Sequence, residues 1–198
     1  RVGPESAGAV PGPAAYDKGG ENPTVTDANV VLGYLPENQK LGGDMNIRKD
    51  LAEKAVQKVA DALGLTVNEA AEGIVKIVNE RMFGAVRLVS IEKGYDPRDF
   101  SLMAFGGAGP LHANALGELT QSWPVIVPPG PGILCAYGDA TTRLRNEASK
   151  TIIVNMKNAD GGKIAKDLGE LAQSAADGLT ISGNNDAVNL DPKTLEYR

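Results

Sequence analysis

The residues best placed to do chemistry lie together at Gly106-Gly107-Ala108-Gly109, followed by Pro110 and then His112, the single histidine of the chain. The five residues before them, 101–105, form a short apolar run that predicts a buried strand. Pro110 predicts a helix start, because its fixed φ suits the first turn and its missing N–H has no partner there in any case. The unit is strand, glycine turn and helix N-terminus. Glycines let a ligand approach the backbone, and unpaired N–H groups at a helix start attract polar or anionic groups. The same turn also occurs without any ligand, so spacing alone leaves a purely structural corner open. His112 has two readings as well, a packed structural imidazole or a proton-transfer group. Asp27 offers a carboxylate either as a helix cap or aimed at a metal, a nucleotide or a polar substrate.

The elements that must hold these residues follow from the pattern along the chain. Residues 1–22 are rich in Gly, Pro and Ala, and Pro4, Pro11 and Pro13 exclude a regular helix there. That leaves a flexible linker or a packed irregular loop. Thr26 or Asp27 is expected to cap a short helix carrying Val30, Val31 and Leu32. Leu51, Ala55, Val59 and Leu63 recur every four residues and predict an amphipathic helix over 48–63, ended by Gly64. Thr66 and Glu69 have the spacing of a capping box and open the next helix. Its stripe of Ala70, Ile74, Ile77, Val78, Met82, Val86 and Val89 runs on toward Gly94, with a kink expected near Gly84. Asn79, Glu80 and Arg81 interrupt that stripe, either as a solvated face or because one of them reaches a ligand.

Residues 96–99 predict a turn, and a helix is expected from Pro110 to about Leu119. Val125 to Val127, bounded by Pro124 and Pro128, predict a second buried strand. Pro129-Gly130-Pro131-Gly132 makes a rigid turn before a helix of small residues from Ile133 to about Leu144. Cys135 in that helix reads as a small core residue, with no second Cys or His near it in sequence. A third strand is expected over 151–154, a helix over 164–179, and polar loop over 182–198. Strands alternating with helices predict an α/β layer with parallel neighbours. Ligands in such sheets sit at the carboxyl ends of the strands. Both glycine turns, 106–109 and 129–132, follow strand ends, so they are expected to line one crevice.

Composition narrows the function. A hydrophobic content of 42% with only 5% aromatic residues predicts a core of Ala, Val, Leu and Ile. A net charge of −5 argues against nucleic acid as a partner, since phosphate backbones need a basic face. One cysteine excludes an internal disulfide framework and a multi-Cys zinc site, and fits a reducing, cytoplasmic setting. No apolar run approaches the length of a membrane span. The chain opens at Arg1 on what reads as mid-domain sequence, which suggests a fragment.

Four stretches in order then carry a resemblance. They are Arg1-Val-Gly-Pro-Glu-Ser-Ala-Gly-Ala-Val-Pro-Gly-Pro13 with Pro23-Thr-Val-Thr-Asp-Ala-Asn29, Asp96-Pro-Arg-Asp-Phe100, Phe105-Gly-Gly-Ala-Gly-Pro-Leu-His112, and the Pro-Gly stretch at 129–132. Together they resemble the hydantoinase A/5-oxoprolinase family over roughly residues 1–150. Ala15 stands where that family is expected to have Cys, and Cys135 where Ser is more usual.

The resemblance implies an α/β fold of the actin-like ATPase (ribonuclease H-like) kind, here a partial domain with a mostly parallel sheet flanked by helices. It implies the C-terminal part of a hydantoinase/oxoprolinase ATPase domain over 1–155 and the start of the next region over 156–198. Gly106, Gly107, Ala108 and Gly109 would face the adenosine of ATP. The two phosphate-binding loops are expected N-terminal to Arg1, so this chain would carry about half of a nucleotide site. Family members open cyclic amides such as 5-oxoproline or hydantoins with ATP and Mg²⁺, and related ones carboxylate ketones. A lactam is a poor electrophile, and phosphorylating its oxygen creates a leaving group. Proton transfer in such chemistry needs a carboxylate or a His, for which Asp27 and His112 are the candidates. The expected partners are a small cyclic amide and a hydantoinase B-type subunit or domain, with neither nucleic acid nor membrane. A non-catalytic assembly module of the same fold is the remaining alternative.

Overall fold

The computed structural model describes residues 2–38, 40–142 and 145–181. The chain divides into two compact units, Arg1–Ala136 and Tyr137–Arg198.

Three mutually packed helices form the heart of the first unit: α1 (Val25–Val31), α2 (Lys49–Leu63) and α3 (Val67–Val89). Local signals place their ends. Gly64 closes α2 in the left-handed conformation, φ +67°, which glycine alone adopts freely. Thr66 and Glu69 open α3 with a reciprocal capping box. α3 continues unbroken through Gly84.

The core is alanine-rich, with Ala28, Ala52, Ala60 and Ala71 fully buried around Val30 and Val56. Small side chains let the helix axes approach closely, and burying a valine such as Val30 contributes about 1.5–3 kcal/mol. The expected periods hold but their phase is shifted. α2 buries Ala52, Ala55, Val56 and Ala60 and leaves Leu63 64% exposed. α3 buries Ala70, Ala71, Val75 and Asn79 and leaves Ile77 45% exposed. Close alanine contacts won the interior, and the larger residues flank it.

Residues 12–15 are buried, so the Gly/Pro/Ala-rich opening is a packed irregular loop rather than a linker. The second half of the unit is the expected strand-turn-helix. β1 (Leu102–Met103) pairs in parallel with β2 (Val125–Ile126), and α4 (Gly109–Thr120) packs on both. Both strands are shorter than the apolar runs that predicted them. Gly117 is where α4 meets the sheet, since a Cβ there would lie 2.5 Å from Val125 Cγ2. The Leu102/Val125 face is thus covered. Met103 and Ile126, the next register pair, are 50% and 38% exposed on the other face.

The chain enters the second unit within α5 (Leu134–Thr141), none of whose residues is buried. Cys135 is exposed, against the expectation of a core residue. Residues 151–154 form no strand; Ile153 is 94% exposed. α6 (Gly161–Ile181) is longer at both ends than expected. Lys150 Nζ meets Asp167 Oδ1 at 2.6 Å and Asn146 Nδ2 donates to Ala175 O at 2.8 Å, so residues 145–150 lie along this helix. The loop expected over 182–198 lies outside the described residues.

Candidate functional site

The corner after β1 is built by two backbone bonds. Ala104 N–H donates to Ile126 O at 2.9 Å, extending the parallel ladder by one step. Gly106 N–H then donates to Pro131 O at 2.8 Å. The two glycine turns therefore adjoin. Their glycines are required for different reasons. Gly106 has φ +84° and Gly130 φ +61°, both in the region that strains a side chain. Gly107 is outside that region, and a Cβ added to it meets no atom within 4 Å. Among the described residues nothing crowds this position, as is also true of Gly84 and Gly132.

His112 stands in the first turn of α4, three residues after Gly109. It is 5% exposed, and its Nδ1 lies 2.7 Å from Oδ1 of Asn79 on α3, itself 8% exposed. Burial holds the imidazole below its ordinary pKa, because the charged form loses more hydration than the neutral one. Asn79 is therefore not a solvated residue; it ties α3 to α4. Sequence reasoning noticed Asn79 but not its partner. The signal was its spacing of four from Val75 and eight from Ala71, both on the buried face.

Asp27 is fully buried. Its Oδ1 accepts from Ala15 N–H at 2.8 Å. Its Oδ2 accepts from Ala14 N–H at 3.3 Å, Thr24 N–H at 2.9 Å and the Thr24 hydroxyl at 2.7 Å. Thr24 Oγ1 accepts Asp27 N–H in return, so the cap of α1 is Thr24, with Asp27 as the third residue of a capping box. The expected caps, Thr26 and Asp27, missed this by two and three residues. The T-x-x-D spacing was visible, but the reach to Ala14 and Ala15 was not. No hydrogen bond or ion pair among the described residues joins Asp27 to His112. A cleft of about 900 Å³ runs beside residues 2–8 and past Val59, Leu63, Leu65, Ile74 and Ile77. Its lining includes neither candidate nor any part of the glycine corner. Among the described residues no three His, Cys, Asp or Glu side chains converge as a metal site.

Comparison with known proteins adds the context. The caprolactamase subunit alpha of Pseudomonas jessenii is 46% identical over 153 residues, covering 77% of this chain and 22% of that protein. The acetophenone carboxylase gamma subunit of Aromatoleum aromaticum is 48% identical over 141 residues, covering 70% of this chain and 19% of that protein. The crystal structure of the ATP-dependent caprolactamase from Pseudomonas jessenii superposes with a TM-score of 0.70 at 39% identity, over 94% of this chain and 27% of that one. The chain thus spans less than a third of the length of the relatives it matches. The hydantoinase/oxoprolinase family profile matches residues 1–148, and the chain belongs to that family.

Proposed function

We propose that this chain forms the adenosine-side wall of the nucleotide site in an ATP-dependent enzyme that opens a cyclic amide. The observation that carries the reading is the Gly106–Pro131 bond, which seats two glycine turns side by side at the ends of parallel strands. Gly107, open to approach, gives a purine ring or ribose access to the backbone. The sheet-and-helix arrangement fits one half of an actin-like clamp, with the phosphate loops supplied by other polypeptide. ATP, when bound, supplies the phosphoryl group that activates the amide oxygen. Mg²⁺ is expected to ride on the phosphates, and we assign no residue of this chain to it.

Within this reading the residues divide their work. Gly106 to Gly109 orient the nucleoside. His112, neutral and next to the corner, is the candidate for accepting a proton or a hydrogen bond. Asp27, with its oxygens taken by four donors, serves the order of residues 14–24 rather than the reaction. The exposed Met103/Ile126 face is read as the seat of further polypeptide, since parallel sheets are normally covered on both faces. A hydantoinase B-type subunit is the expected partner, in line with relatives that are themselves named as subunits. The exposed free thiol of Cys135 suits a reducing, cytoplasmic setting.

The match to an acetophenone carboxylase subunit supports a second reading, carboxylation of a ketone. The two separate in one assay of the protein that carries this chain, with its partner subunit. Phosphate release from ATP is followed with caprolactam or 5-oxoproline, and in parallel with bicarbonate and a ketone. Release stimulated by the lactam alone is the expected result. Stimulation only by ketone and bicarbonate selects the carboxylase, and stimulation by neither overturns both.

A further inference from the structure

We infer that Asn79 is a positioning residue: it holds His112 as the neutral Nδ1–H tautomer and thereby leaves the Nε2 lone pair unused. A neutral imidazole carries one N–H, and whichever nitrogen donates leaves the other as an acceptor. Nδ1 lies 2.7 Å from the Asn79 amide oxygen, inside a helix–helix contact where both side chains are nearly buried. An amide oxygen only accepts, so Nδ1 must donate. Burial is what lowers the pKa of the ring. The ring is thus kept neutral by burial and oriented by a neutral amide.

Nε2 has no hydrogen-bond partner among the described residues. It is not a stranded buried atom either, because the buried unpaired side-chain atom among those residues is Asn29 Oδ1. Nε2 therefore retains some exposure, although the residue as a whole is only 5% exposed. Free histidine side chains favour the opposite tautomer, with the proton on Nε2. Asn79 works against that preference, which makes its effect measurable. The chemistry on offer is a lone pair for an O–H or N–H donor, such as a ribose hydroxyl or a lactam N–H. This last step rests on reading the corner as a ligand site; the tautomer does not.

The chain has one histidine, so long-range ¹H–¹⁵N correlation spectra of the ¹⁵N-labelled chain report His112 without assignment. The wild type is expected to show a protonated Nδ1 and a pyridine-type Nε2 near neutral pH. Asn79→Ala is expected to shift the ring toward the Nε2–H form. Should that variant fail to fold, Asn79→Asp serves instead: it keeps the acceptor, so Nδ1–H persists and the ring pKa rises toward the new carboxylate. A wild-type ring protonated on Nε2, an unchanged tautomer in Asn79→Ala, or an unmoved pKa in Asn79→Asp would each overturn the assignment. Adenosine is then titrated in. Movement of Nε2 together with the amides of 106–109 is expected. Amides that move while Nε2 stays still refute the ligand role of the lone pair. If neither responds, the corner reading fails while the tautomer assignment stands.

Discussion

The loop gathered by Asp27 and the corner at Gly106 are both glycine-rich backbone beside a helix N-terminus, yet they are finished in opposite ways. In the first, the carboxylate is fully engaged by neighbouring donors. Asp27 takes four donors, and a Cβ on Gly20 would lie 2.1 Å from Gly12 O, so glycine is forced by the fold. In the second, among the described residues no atom comes within 4 Å of a Cβ added to Gly107, Phe105 is 46% exposed, and one ring nitrogen of His112 has a partner. Asp27 and His112, equal candidates in sequence, thus differ in how fully their polar atoms are engaged among the described residues.

The comparison breaks first, if it is wrong, at Asp27. Asp27→Ala strands four donors, two of them the buried amides of residues 14 and 15, and should lower unfolding free energy by about 3 kcal/mol or more. Urea denaturation measures it; a loss under about 1 kcal/mol would mean the clasp is not structural. Gly117→Ala comes next. Its new Cβ meets Val125, which is stiff at χ1, and Trp123, so a cost of about 1–3 kcal/mol is expected in the same assay. A neutral effect would show that α4 sits more loosely on the sheet.

The smallest effect sharpens the account of His112. Its folded pKa lies below the ordinary value, so the unfolded chain takes up the proton first as pH falls. The contribution is fully present above about pH 6.5 and declines from there toward the folded pKa. Stability of the wild type should therefore drop over that window more than that of His112→Gln. Parallel curves would show that the ring is not held neutral.

Much of this was legible because it is local. The capping box at Thr66 and Glu69, the Gly64 stop and the strand-glycine-helix order of 101–112 depend on neighbours in sequence, and all three are present. The phase of α2 and α3 was misread because the largest apolar residues were given the interior, whereas close helix packing gave it to alanine. Residues 151–154 have strand-like composition but form no strand, and composition cannot supply a neighbour to pair with. The partners of Asp27 and His112 are 12 and 33 residues away in sequence, a distance that no local pattern spans.

The central claim is that the corner at 106–109 receives the adenosine of ATP, and Gly107→Val tests it most directly. A Cβ at this position meets no atom within 4 Å among the described residues, so folding should be unchanged, while backbone approach is blocked. In the protein that carries this chain, ATP affinity should fall by about tenfold or more with an unaltered melting temperature. Wild-type ATP affinity in a natively folded Gly107→Val variant would contradict the claim.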